Sequence, residues 1–284
     1  MHHSAFPERE VRSDDGRQAP LRVGAQDRGV VGARTRGDGR LDASRGDDGS
    51  GSSFEELWSA FRALVNTREP APAAPEFLAV QDELLQGLIV EAGITRVEDV
   101  APCPTDARMG LWRGDITTIA ADAIVNAANS AMTGCWQPLH SCIDNAIHTF
   151  AGVQLRLECA RIMAAQGHPE PTAQAKVTGA YNLPCRRIIH TVGPIAQGAP
   201  TARHRRELAR CYAACLDAAA AEGLTSVAFC CISTGVFGFP QAEAAQIAVE
   251  AVRAWLDANP DAGLRVVFDV FLDEDLAIYR RLLG

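Results

Sequence analysis

Of the 27 basic side chains in this 284-residue chain, all but Lys176 are arginine, and acidic residues outnumber them at 35, for a net charge of -8. The positive surplus with which proteins hold a nucleic acid backbone is therefore missing, so nucleic acid is not an expected partner. Scarce lysine does not exclude a diphosphate ligand, because backbone N–H groups bind one without it. The arginine bias itself reads as coding composition, since arginine also serves as an ordinary surface charge. No apolar run approaches the ~20 residues of a membrane span, and the N-terminus lacks the apolar core of a secretory signal. The expected compartment is the cytoplasm, with no membrane partner.

What is present is apolar content of 47%, enough for one good-sized core. There are also nine cysteines. In a chain of this size without an export signal they read as reduced thiols or metal ligands rather than disulfides.

Over residues 1–52 Gly, Arg and acidic residues interleave with almost no periodic apolar positions, which predicts a disordered tail. Ser52/Glu55 and Ser53/Glu56 each fit a capping box ahead of Phe54, Leu57, Trp58, Phe61, Leu64 and Val65 at helical spacing. The proline-rich run from Pro70 to Pro75 stops that helix. Phe77, Val80, Leu84, Leu85 and Leu88 then carry a second, ended near Gly93. Residues 53–108 are expected as a helical extension packed on a main domain of residues 109–284. There, short apolar runs at Leu111–Trp112, Ala123–Val125, Ile188–Val192, Val227–Ile232 and Val266–Phe271 alternate with helical patterns. That alternation predicts a three-layer α/β/α sandwich with a mixed, mostly parallel sheet, and ligands gathered at the carboxyl ends of its strands.

Four loops at such ends could carry chemistry. Asp115 can accept from an exocyclic amine such as that of adenine while the backbone at Ile116 donates, or it can simply cap a turn. Asn126-Ala-Ala-Asn129 flanks two small residues with two amides, and Asn129 could bind a ribose hydroxyl or merely close the loop. Ser233-Thr234-Gly235-Val236-Phe237-Gly238 precedes a helix. Its two glycines let N–H groups curl inward as an anion cradle, with Phe237 against a sugar face. Cys135, His140 and Cys142 present two thiols and an imidazole within eight residues, a zinc-preferring set with one coordination position left open. Asp144 follows in the first turn of a helix. It is either a dipole-compensating carboxylate or, beside a metal, a base. His148 and His190 read as core or surface histidines, and Cys230-Cys231 as packing within a strand.

On these residues the chain from about Phe54 to Gly284 resembles the zinc-containing macrodomains, a branch related to the MacroD-type ADP-ribosyl hydrolases. The matching segments are FLAVQDELLQ, LWRGDITTIAADAIVNAANSAMTGCWQPLHSCIDNAIH, GVQLRLECARIM, PEPTAQAKVTGAYNLPCRRIIHTVGP and STGVFGFP. The resemblance implies ADP-ribose as ligand, with Asp115 and Ile116 at the adenine, Asn129 at the distal ribose, and Ser233 to Gly238 around the diphosphate and distal sugar. It implies Zn2+ on Cys135, His140 and Cys142, Asp144 and Asn129 as catalytic residues, and Phe271 and Leu272 beside the adenine. The implied activity is removal of mono-ADP-ribose from Asp or Glu side chains of modified proteins, a lipoyl carrier protein among them. Two other readings use the same cradle, an ADP-ribose-binding module without turnover and an O-acetyl-ADP-ribose deacetylase; a third makes the zinc structural, in a protein-interaction domain, and requires a fourth protein ligand.

Overall fold

Buried, near-continuous Val/Ile runs in the central strands require helices on both faces of the sheet, and that is the arrangement in the structure, a computed structural model that describes residues 52–284. The tail expected over residues 1–52 lies outside them except for Ser52. Two helices come first, α1 (Phe54–Thr67) and α2 (Pro75–Ala92). A short parallel pair, β1 (Thr95–Arg96) and β4 (Ile119–Ala120), stands apart from the main sheet. The strands β2 (Pro102–Cys103), β3 (Asp106–Arg113), β5 (Ala123–Ala128), β6 (Ala175–Gly179), β7 (Arg187–Val192), β8 (Ser226–Phe229) and β9 (Arg265–Val270) form a seven-stranded sheet of order β2-β3-β9-β8-β5-β7-β6. Its five central strands are parallel and its two edge strands antiparallel. The helices are α3 (Ile143–Ala151), α4 (Val153–Gln166), α5 (Ala202–Ala221), α6 (Gln241–Ala258) and α7 (Asp273–Leu283). α5, α6 and α7 pack together as one layer, and α3 and α4 as another with α1 laid against α3.

Ile124, Val125, Ile188, Ile189, Val227, Val266 and Val267 are fully buried at the sheet's centre. The edge strand β6 was not anticipated from the sequence. It carries Lys176 and Thr178 and is mostly half-buried, so it lacks an apolar run. The sheet also takes in Pro102–Cys103 and all of Asp106–Arg113, so it begins ahead of the expected boundary at residue 109. β8 ends at Phe229 rather than Ile232, which places Cys230 and Cys231 in the loop after the strand and not within it. β9 likewise ends at Val270, one residue before Phe271.

Of the two capping boxes, the one at Ser53 and Glu56 forms. The faces of the first two helices differ from expectation. In α1, Phe54, Leu57 and Leu64 are exposed, while Trp58 stacks on Phe61 and meets Phe150 at a tilt. The residue α1 buries is polar, Asn66. In α2, Phe77 and Val80 are exposed, and Gln81, Leu85 and Ile89, spaced four apart, face inward.

Candidate functional site

Because β3, β9, β8, β5 and β7 are neighbouring parallel strands, the segments leaving them emerge on one edge of the sheet. Asn126 to Asn129 end β5, Gly193 follows β7, Ser233 to Gly238 follow β8, and Asp115 follows β3.

Asp144 sits in the first turn of α3 and is 5% exposed. Both its oxygens are held by amides: Asn126 Nδ2 donates to Oδ1 at 2.8 Å and Asn129 Nδ2 donates to Oδ2 at 3.1 Å. Burial pushes the carboxyl up to about 6, against the opposing hydrogen bond from Asn126, the charge of Arg156 and the hydrogen bond from Asn129. The second N–H of Asn129 goes to the Gly134 carbonyl, and its Oδ1 accepts from the Ala131 N–H. Both donors of Asn129 are thus spent on the protein. Its contribution in this conformation is to orient Asp144, leaving one lone pair for a hydroxyl.

Asn126 is itself propped from behind. It is the register partner of His190 on β7, and its Nδ2 lies 3.1 Å from His190 Nδ1. His190 Nε2 is 2.9 Å from Thr178 Oγ1, whose hydroxyl donates to the Gly179 carbonyl. With Nδ1 accepting, Nε2 carries the proton, and burial lowers His190 to about 3 and keeps it neutral. His190 is therefore a core histidine, as expected, but one that fixes an amide at the site. Its signal in the sequence was a polar residue at a strand position fated to be fully buried. His148 is neutral for the same reason, burial, and its Nε2 stops 3.6 Å from Asp144 Oδ1.

Cys135 Sγ lies 3.4 Å from His140 Nδ1, and the donor atoms of Cys135, His140 and Cys142 all fall within 4.8 Å of one another. Zinc bond lengths and a tetrahedral angle call for a sulfur–nitrogen edge of about 3.5 Å, so the Cys135–His140 edge already has the length a zinc ion requires. Burial pushes the Cys142 thiol up to about 12, a shift that a bound dication reverses. Cys142 also caps α3 by accepting from the Asn145 N–H at 3.4 Å. Gly134, just before the set, has φ +81°, and a Cβ there would lie 2.7 Å from the His148 ring, so only glycine fits. His148, Cys159 and His190 also bring donor atoms within 4.8 Å of one another. Both His190 nitrogens are already committed there, so that cluster is core.

The turn after β8 takes its shape from Ser233 and Gly238, at φ +67° and +63°. Gly235, expected to provide the curl, has no such φ and could hold a Cβ without contact. The Phe237 carbonyl accepts from the N–H groups of Ala196 and Gln197, and Gly238 accepts from Gly198, so the segment after Gly193 braces the turn. Among the described residues no acceptor takes the N–H groups of Thr234, Gly235, Val236 or Phe237. These donors precede the α6 N-terminus and are available to an anion. Phe237 is half-buried and Val236 exposed. The bracing segment was not singled out from the sequence, and it lies close against the turn: a Cβ on Gly193 would fall 2.1 Å from Ser233 Oγ.

Asp115 does cap a short 3-10 turn, its Oδ1 accepting from Thr117 N and Oγ1, which leaves Oδ2 free for an amine. The Ile116 side chain is buried in the core, so only its backbone can meet a ligand. Phe271 and Leu272, 71% and 51% exposed, are apolar surfaces just past the end of β9.

Residues 125–248 match the Macro domain family. The chain is 55% identical over 226 residues to a protein-ADP-ribose hydrolase of Treponema medium, covering 78% of this chain and 86% of that protein. It is 50% identical over 230 residues to a protein-ADP-ribose hydrolase of Staphylococcus aureus (strain MSSA476), covering 81% and 85%. Among solved structures it is similar to a Trypanosoma brucei macrodomain in complex with ADP-ribose, with a TM-score of 0.61, 30% identity and coverage of 78% of this chain and 95% of that one. An Oceanobacillus iheyensis macrodomain with ADP superposes with a TM-score of 0.56 at 37% identity, over 61% and 88% of the two chains. Among the described residues no helix is long and apolar enough to cross a membrane.

Proposed function

This chain belongs to the macrodomain family, and we propose that it is a zinc-dependent hydrolase that removes mono-ADP-ribose from Asp and Glu side chains of modified proteins. The observation that carries this reading is the placement of Asp144. A carboxylate with both oxygens held by amides begins α3 directly after a thiol-imidazole-thiol set of metal-binding geometry. A domain that only bound the nucleotide would need neither.

In this reading ADP-ribose lies along the carboxyl edge of the sheet. Asp115 Oδ2 and the Ile116 backbone meet the adenine beside Phe271 and Leu272. The N–H groups of residues 234–237 hold the diphosphate, with Ser233, Gly238 and the Phe237 ring around the distal sugar. The free lone pair of Asn129 accepts from a ribose hydroxyl. Cys135, His140 and Cys142 hold the zinc, which when bound supplies Lewis-acid polarisation of a ribose or linkage oxygen. Asp144 accepts a proton from the attacking water, whose oxygen bonds to the substrate carbon as the ester bond breaks. The products are a free side-chain carboxylate and ADP-ribose. A carboxylate raised to about 6 is ionised at neutral pH yet more basic than a solvated one, which suits this task.

Within the substrate class, a lipoyl carrier protein is the partner that the family resemblance suggests. The test is a panel: purified, metal-quantified protein is incubated with proteins mono-ADP-ribosylated on Glu/Asp, on Ser or on Arg, and with O-acetyl-ADP-ribose. Loss of label from Glu/Asp alone among the protein linkages is the expected result. Faster turnover of O-acetyl-ADP-ribose, or release from Ser or Arg instead, would contradict it.

A further inference from the structure

The loop from Trp136 to Leu139 lies between the proposed metal ligands, and its anchors lead to one place. Leu139, held at φ +57°, donates its N–H to Asn66 Oδ1 at 3.1 Å. The Gln137 carbonyl accepts from Asn145 Nδ2 at 3.1 Å, and Asn145 Oδ1 accepts from Arg62 Nη2 at 3.2 Å. The Trp136 ring lies under the Arg156 guanidinium at 4.3 Å, and Arg156 donates to the Val65 and Arg68 carbonyls at the end of α1. Each of the three anchors therefore runs to α1, a helix outside the residues matched to the Macro domain family.

Asn66 is the centre of this arrangement. It is 1% exposed, the buried residue of α1, and its Nδ2 donates to Thr149 Oγ1 at 3.0 Å. The Thr149 hydroxyl passes on to the Asn145 carbonyl at 2.7 Å, and the Asn145 N–H reaches Cys142 Sγ. A left-handed leucine is strained and persists only where its surroundings enforce it. The Asn66 acceptor supplies that constraint one residue before His140.

We propose that α1 is part of the functional site, with Asn66, and Arg62 acting through Asn145, as positioning residues that fix the Cys135–Cys142 loop in the shape that binds the metal. This rests on the zinc reading above. It explains why a helix with so exposed an apolar face spends its buried position on an amide. Partners that orient metal ligands from outside the coordination sphere are worth about 10–100-fold in metal affinity when removed.

The test is titration of the metal-free full chain with Co2+, whose visible absorption reports thiolate coordination, together with ADP-ribose calorimetry and amide exchange over residues 136–140. Asn66→Ala is expected to bind Co2+ at least about tenfold more weakly than wild type and Arg62→Ala to show a smaller loss. Leu57→Ala, on the exposed face of α1, should match wild type, and ADP-ribose affinity should hold in all three. Wild-type Co2+ affinity in both Asn66→Ala and Arg62→Ala overturns the proposal. Should Asn66→Ala fail to fold, Arg62→Ala, at a half-buried position, decides. A wild type that shows no thiolate–cobalt bands overturns the zinc reading instead. The positioning role is then decided by exchange: faster exchange of residues 136–140 in the variants upholds it, and unchanged exchange overturns it.

Discussion

Asn126 and Asp144 come from different elements, the end of β5 and the start of α3, and meet at 2.8 Å with the amide donating to a carboxylate that solvent barely reaches. The same amide nitrogen lies 3.1 Å from His190, so the direction in which Asp144 points is set two residues deep into the sheet. A buried carboxylate gripped in this way keeps one orientation and an elevated basicity together.

With Asp144 proposed as the general base, turnover should fall steeply when it is lost and less steeply when its support is lost. Asp144→Asn is expected to lower the rate of ADP-ribose release by about 10²- to 10⁴-fold, the range for general-base assistance. Asn126→Ala removes one hydrogen bond to a charged group and should cost about 10- to 100-fold. Single-turnover release of labelled ADP-ribose, read beside calorimetric affinity, separates the two. Comparable losses in affinity would mean that these residues bind rather than catalyse.

On the zinc-dependent reading, chelation should abolish release and spare binding. Protein stripped by chelation, and His140→Ala, are expected to retain ADP-ribose affinity, since the cradle at residues 234–237 shares no residue with the Cys/His set. Adding back Zn2+ should restore the stripped protein and not His140→Ala. Full turnover by verified metal-free protein refutes the zinc role.

His190 gives a pH signature in stability. Its folded value of about 3 lies below the ordinary histidine value. As pH falls from about 6.5 toward about 3, the unfolded chain therefore takes up a proton that the folded chain refuses. Stability is lost over that window at about 1.4 kcal/mol per pH unit for this one group. His190→Gln cannot titrate, so the stability difference between wild type and variant should narrow as pH drops from 7 to 5.5. Urea unfolding at both pH values checks this, and a constant difference would show that His190 does not stay neutral in the fold.

Two glycines test the backbone argument. Gly134→Ala forces a side chain into φ +81° against the His148 ring. It should cost about 1–3 kcal/mol and lower the melting temperature by several degrees. Gly193→Ala meets Ser233 Oγ and should weaken ADP-ribose binding by displacing the turn. Wild-type affinity in that variant would mean that the turn's shape does not govern the anion cradle.

The sheet's central strands and most helices were legible because apolar runs and 3.6-residue periodicity report burial directly. β6 was not, since an edge strand needs no apolar run. The inward face of α1 was not, since its buried contact is made by Asn66 and partners remote in sequence. At the site, residue types could be read but not their partners. Asn126 and Asn129 stood out as a pair of amides, yet only the register of β5 against β7 and the start of α3 show that both N–H groups point at Asp144. Ser233 rather than Gly235 carries the left-handed turn, against the local preference for glycine at such a position.

The most direct trial sets wild type and Asp144→Asn side by side, zinc-loaded and quantified, on a protein mono-ADP-ribosylated through a glutamate ester, following free ADP-ribose with time. Release by wild type, with near-complete loss in Asp144→Asn at undiminished ADP-ribose affinity, is the result expected. Tight binding with no release by wild type, or equal release by both proteins, would contradict it.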